Sequence, residues 1–208
     1  CRIIRINEDG TVRLIMDEGV NQNKSYSFNS NKNNYSYMYY SNSDAKSVLE
    51  SWYQTNLLNY TDKIATGNYF CEEARVKYDS RHISNQAQMS IYKDYIPNFK
   101  CQTDGNGYGM INSNIGLISY DEVVFAGGYP GVNNDHYYLN RNSSFWLISP
   151  AGFYTPSSSS AVWKLFPTGY LNSADILIAV SPLYPVINLN SDVKVIGSGT
   201  NSDPYIVQ

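Results

Sequence analysis

Two β-type runs open the chain. Arg2, Ile3, Ile4, Arg5 and Ile6 form the first, and Val12, Arg13, Leu14, Ile15 and Met16 the second. Between them stands Asn7-Glu8-Asp9-Gly10, and Asp-Gly between two such runs is a hairpin signal. Residues 19–43 carry little beyond Asn, Ser and Tyr. They predict a long loop with one strand at the aromatic patch 35–40. Ala45, Val48, Leu49, Trp52 and Tyr53 then fall at i, i+3, i+4, i+7 and i+8, the single apolar stripe of a helix over 44–58. Asp44 is its expected N-cap. Trp52 and Tyr53 lie on the stripe and are expected in the core. A short second helix is predicted over 59–65, and 72–115 reads as irregular.

A change of pattern follows. Gly116, Leu117, Ile118 and Ser119 predict a short buried strand that runs into Ser119-Tyr120-Asp121-Glu122. This is a capping box: the Ser119 hydroxyl accepts from the Glu122 amide while the Glu122 carboxylate reaches back. Gly127 and Gly128 stop the helix. The last third is β. Strands are predicted at 145–148 (ending at Ser149 and Pro150), 161–166, 176–180, 186–189, 193–196 and 205–207. Turn signals recur every few residues, which predicts antiparallel sheet. No repeat or linker divides the chain, so 1–208 reads as one domain.

Composition narrows the function. Charged residues are 16% of the 208 and the net charge is −3, so no basic surface exists to hold a nucleic-acid backbone. No run approaches the length of a membrane helix. The 20 Tyr, with abundant Asn and Ser, are open to two readings. One is a recognition surface, where such residues give rigid contact area and adaptable hydrogen bonds. The other is the codon bias of an AT-rich genome, which their even spread along the chain favours.

Candidate chemistry is sparse. Cys1, Cys71 and Cys101 form no metal spacing with the two His residues. Cys71 and Cys101 flank a polar segment that a disulfide would tie down, which places the protein in an oxidising compartment. The alternative is two buried free thiols. Cys1 stands at a strand edge without a partner, so a leader is expected upstream, with room for a first strand. His82 and His136 sit in polar loop sequence. Asp121-Glu122 reads as capping, and Glu72-Glu73 as loop. Asp192, Asn201 and Asp203 could hold calcium, but Asx side chains in Gly-rich turns serve the turn itself. No catalytic residue, cofactor or metal is predicted.

Several segments together resemble a known family. The opening from Cys1 to Ile15 resembles "WRIIRINxDGxxRLI", and 44–58 resembles "xxLxxWYxxNL". Tyr69-Phe70-Cys71 resembles "xFC", and 116–123 resembles "GLITxDEV". Residues 145–150 resemble "YWxLSP" or "WWLRSP", 184–189 resemble "VRPVINL", and 197–207 resemble "GxGTxxDPYxI". In this order they are similar to the DUF6273 group of uncharacterised Firmicutes surface proteins. Tyr184 and Ile148 stand where the pattern has Arg, and Cys1 where it has Trp.

The resemblance implies an α+β, C-type-lectin-like fold: an N-terminal hairpin, one or two helices, antiparallel sheet and long irregular loops. It implies an extracellular, surface-anchored, non-catalytic module, adhesin-like, whose partner is a protein or glycan on a host or neighbouring cell. A pilin-like subunit that self-assembles into a surface appendage is the alternative. In a lectin-like fold the segment between the 145–150 and 184–189 motifs carries the recognition loops, which names Tyr154, Trp163, Tyr170, Asn172 and Asp175. For Trp163 the competing reading is an inward-pointing strand residue, given the apolar content of 161–166.

Overall fold

A computed structural model describes residues 1–72, 76–78, 87–89, 99, 101, 109–154, 158–200 and 202–208. The N-terminal hairpin forms as the pattern requires: β1 (Arg2–Ile6) pairs antiparallel with β2 (Val12–Ile15). Its turn has Gly10 at φ 81°, and the Asp9 carboxylate accepts from the Thr11 amide at 3.0 Å. The loop that follows is less empty than its composition suggests. It contains β3 (Ser25–Tyr26) and two 3-10 turns, Tyr35–Met38 and Tyr40–Asn42. The predicted strand at 35–40 is therefore replaced by turns. Met38, Tyr39 and Tyr40 are buried in succession, which a strand with alternating faces cannot achieve.

Helix α1 (Asp44–Asn56) is capped by Ser43, whose hydroxyl accepts from the Lys46 amide at 3.1 Å. Asp44, the expected cap, instead accepts from the Ser30 amide at 2.7 Å. The expected second helix shortens to a 3-10 turn, Leu58–Tyr60. β4 (Asn68–Cys71) precedes 72–115, within which lie β5 (Val76–Tyr78), β6 (Ala87–Met89) and β7 (Met110–Ser113); they pair as β4–β7 and β5–β6. Residues 116–119 are extended but form a single bridge, Gly116 to Val186, rather than a strand. The capping box is present in full at the start of α2 (Tyr120–Phe125).

The last third contains β8 (Tyr129–Pro130), β9 (Phe145–Tyr154), β10 (Ser159–Leu165) and β11 (Tyr170–Asp175), ordered β8-β11-β10-β9 in one sheet. β8 joins it parallel and the others antiparallel. β9 passes through Pro150 where an end was expected. It lies last in the sheet order, where a residue without an N–H is tolerated. Residues 176–180 form a turn, not a strand, because the Asp175 carboxylate accepts from the Leu177 and Ile178 amides. β12 (Ser181–Pro182) pairs with β3, and β13 (Val186–Leu189) pairs with β2. β14 (Val195–Ile196) and β15 (Ile206–Val207) close the chain as a hairpin. The fold is mixed α+β, with few helices and several small, mainly antiparallel sheets.

All seven residues of β10 are buried, since the four-stranded sheet is covered on both faces. Trp163 packs on Tyr120 of α2, with ring centroids 4.6 Å apart. Trp146 meets Phe28 edge-on at 5.7 Å. Lys164, opposite Trp146 in register, is buried with them, and its ammonium lies 4.9 Å from the Phe166 ring. Desolvation lowers its pKa. Ile148 and Tyr184 are both buried. The Arg141 guanidinium lies 4.8 Å over the Tyr184 ring.

One buried charge cluster joins the hairpin to α2. Glu122 is 2% exposed and meets Arg13 at 2.5 Å and Arg5 at 3.4 Å. Arg13 also lies 4.3 Å over the Phe70 ring. Removing one partner strands a buried charge, so Arg13→Ala is expected to cost about 3–5 kcal/mol in urea unfolding. Trp163→Ala should cost about 3–5 kcal/mol, and Trp52→Ala, only partly buried, roughly half of that or less. Equal losses for the two Trp variants would refute the assignment of Trp163 alone to the core.

Candidate binding site

The residues expected to form a recognition patch do not come together. β10 and β11 pair Trp163 with Ser173, Lys164 with Asn172 and Ala161 with Asp175. Side chains alternate along a strand, so Trp163 and Asp175 share one face of the sheet while Asn172 and Tyr170 share the other. Trp163 is 1% exposed and belongs to the core, so the inward reading applies and it leaves the candidate set. Asn172 is half-buried and its Oδ1 accepts from the Ser173 amide at 2.8 Å. Tyr170 is half-buried, edge-on to Phe166 at 6.0 Å. Tyr154 ends β9, and its side chain lies outside the described residues, as do His82, Glu73, Ser157 and Asn201.

Asp175 works inside the fold. Its carboxylate meets Lys32 Nζ at 2.9 Å and accepts from Ser159 Oγ at 2.5 Å, besides the two turn amides. Partial burial opposes ionisation, but these four donors outweigh it and hold the pKa down at about 2. Asp203, weighed above for calcium, accepts from the Ser198 amide at 2.7 Å and so holds its own turn. Among the described residues no group of three or more His, Cys, Asp or Glu could hold a metal ion. His136 is 95% exposed and pairs with Asp135 at 3.2 Å.

Cys71 and Cys101 form a disulfide. Thirty positions separate them, so the bridge removes about 3–4 kcal/mol of loop entropy from the unfolded chain. Such a bond points to an oxidising compartment. Beside it, the buried Glu72 carboxylate accepts from the Ser41 amide at 2.6 Å and the Ser41 hydroxyl at 2.8 Å. Burial raises its pKa, against the pull of those two bonds and Lys46. Among the described residues no helix is long and apolar enough to cross a membrane.

A cleft of about 360 Å³ opens elsewhere, between α1 and the segment that precedes β3. Asn21, Tyr26, Ser47, Val48, Ser51, Trp52, Thr55 and Asn56 line it. The helix turns Ala45, Leu49 and Tyr53 into the core. Trp52 lies on the flank of that stripe, half-buried, which corrects its expected place in the core. The spacing was right to put it beside Leu49 and Tyr53. It could not tell the centre of the buried stripe from its border.

The opposite wall is unusual backbone. Asn21, Gln22 and Asn23 have φ of 50°, 59° and 61°, a run of left-handed residues without glycine, which costs roughly 1 kcal/mol or more at each position. Surrounding bonds hold it. The Val20 amide donates to the Leu183 carbonyl at 3.0 Å. Asn23 Oδ1 accepts from the Gly19 amide at 2.7 Å. The run aims Asn21 at Tyr26, whose hydroxyl accepts from Asn21 Nδ2 at 2.6 Å. Tyr26 is pinned in turn by Trp146, whose indole N–H donates to the Tyr26 carbonyl at 2.8 Å. None of the eight lining residues is charged.

Comparison with known protein families, curated proteins and solved structures returns no match. The geometry above therefore carries the functional argument.

The pKa of Asp175 sets an acid window. A carboxylate held below its ordinary range stabilises the fold above about pH 4 and loses that effect as pH falls towards about 2. Asp175→Asn is expected to lower the melting temperature at neutral pH and to flatten its decline between about pH 4 and 2. Melts across that range check both.

Proposed function

We propose that this chain is a non-catalytic binding module anchored on a bacterial cell surface, adhesin-like, and that the cleft beside α1 receives its ligand. The cleft is the observation that carries this reading. It places an incompletely buried Trp and a Tyr among amides and hydroxyls, the composition of protein recognition surfaces. It does so on rigid supports: a capped helix, a paired strand and a strained turn held by neighbouring bonds. The disulfide suits an extracellular setting. A C-type-lectin-like arrangement and the DUF6273 resemblance are part of the proposal. The pairing of the N-terminal hairpin with β13 near the other end of the chain, with long loops between, supports them.

The second reading, a subunit of a surface appendage, draws on the terminal hairpin. Val195, Ile196, Ile206 and Val207 are all exposed there, and a two-stranded ribbon gains stability by adding strands. Concentration-dependent assembly in light scattering would favour that reading.

The cleft reading predicts that purified chain binds a host or neighbouring-cell surface, and that Ser51→Trp, which fills the cleft, abolishes binding without lowering the melting temperature. Binding unchanged by Ser51→Trp would place the site elsewhere.

A further inference from the structure

The eight residues that line the cleft also restrict what can occupy it. None of them is an acidic or basic residue, and the neighbouring Lys24 ammonium lies 5.4 Å over the Tyr26 ring, so a carboxylate, sulfate or phosphate ligand would meet no cation in the lining itself, and an ammonium no anion. Such a ligand would lose hydration without a charged partner in return. A purely apolar ligand would strip water from the Ser47 and Ser51 hydroxyls and from the Asn21, Thr55 and Asn56 acceptor oxygens without replacing its bonds. An extended peptide finds no open strand edge in the helical wall, because the backbone of α1 is bonded within the helix.

What remains is a neutral molecule with an apolar face and many hydroxyls. Trp52 offers that face a ring. The polar groups are oriented by bonds they already make. Asn21 Nδ2 donates to the Tyr26 hydroxyl, which leaves Asn21 Oδ1 to accept and the Tyr26 O–H to donate. Asn56 Nδ2 donates to the Trp52 carbonyl at 2.8 Å, which leaves Asn56 Oδ1 to accept. Thr55 donates to the Ser51 carbonyl at 3.0 Å and keeps its lone pairs. The cleft thus offers donors and acceptors side by side. Vicinal sugar hydroxyls, each both donor and acceptor, are their complement.

We infer that the cleft binds a neutral saccharide, with one sugar ring stacked on Trp52 and its hydroxyls bonded by Asn21, Tyr26 and Asn56. This rests on the cleft being the binding site and adds the chemical class of the ligand.

The chain contains three Trp. Trp146 and Trp163 are 0% and 1% exposed, so acrylamide quenching of the whole chain reports on Trp52. The probes are neutral hexose and N-acetylhexosamine oligosaccharides, with sialylated and sulfated counterparts. A neutral probe is expected to shield Trp52 from the quencher. Its affinity should change by less than about twofold over a tenfold range of ionic strength. By calorimetry, Trp52→Ala should weaken binding about thirtyfold, and Trp52→Phe less.

Shielding by acidic probes alone, or by none, overturns the inference. If cell binding is nonetheless lost in Ser51→Trp, the cleft remains the site and only the ligand class fails. If cell binding survives Ser51→Trp, the site itself is wrong and the inference fails with it.

Discussion

The Glu122 carboxylate joins two parts of the chain far apart in sequence, the N-terminal hairpin and α2. One oxygen accepts from the Ser119 amide and completes the N-terminal cap of α2. The other faces Arg13 of β2 and Arg5 of β1. A charge this deeply buried is tolerated only with partners in place. The position of α2 therefore depends on the hairpin, and the hairpin in turn carries β13. Tyr120, two residues before Glu122, supplies the ring that packs on Trp163. The β1-β2-β13 sheet and the β8-β11-β10-β9 sheet are thus coupled through a six-residue helix too short to be stable alone.

The same economy supports the cleft. Trp146 fills the core against Phe28 and, through its indole N–H, fixes the carbonyl of Tyr26. The ring that faces the cleft is thereby held by the ring that fills the core. The left-handed run at Asn21–Asn23 persists because Gly19, Val20 and Lys24 are bonded on either side of it. A cleft built this way would need little ordering to take up the proposed ligand, which would lower the entropic cost of binding.

Low charge content shapes the rest. Turns that other proteins hold with ion pairs are held here by Asn and Asp side chains bonded to nearby amides: Asn29, Asn34, Asn140, Asp175 and Asp203 all act in this way. Much of the Asn-rich composition is accordingly structural.

Local chemistry made the hairpin, α1 and the capping box legible in the sequence. A Gly turn, an apolar stripe and a Ser-x-x-Glu cap act over a few residues and need no distant partner. The Cys71–Cys101 bridge was legible because the two thiols fit no metal spacing and flank a polar segment worth tying down, although two buried free thiols stood as the alternative. Long-range packing decided the remainder. Whether Trp163 in the strand at 161–166 faced a ligand or the core stood open, and the sheet faces covered by Phe28 and Tyr120 bury β10 throughout. The run at 176–180 looked like a strand, but Asp175 folded it into a turn. The residues expected to form one recognition patch are divided because period-two geometry places Trp163 and Asn172 on opposite faces. The cleft was out of reach because Asn21 and Trp52 lie 31 positions apart in a sequence where many other Asn stand near an aromatic residue. Bonds made across the fold bring the two walls together: Trp146 to Tyr26, Ala45 to the Phe28 carbonyl and Ser30 to Asp44.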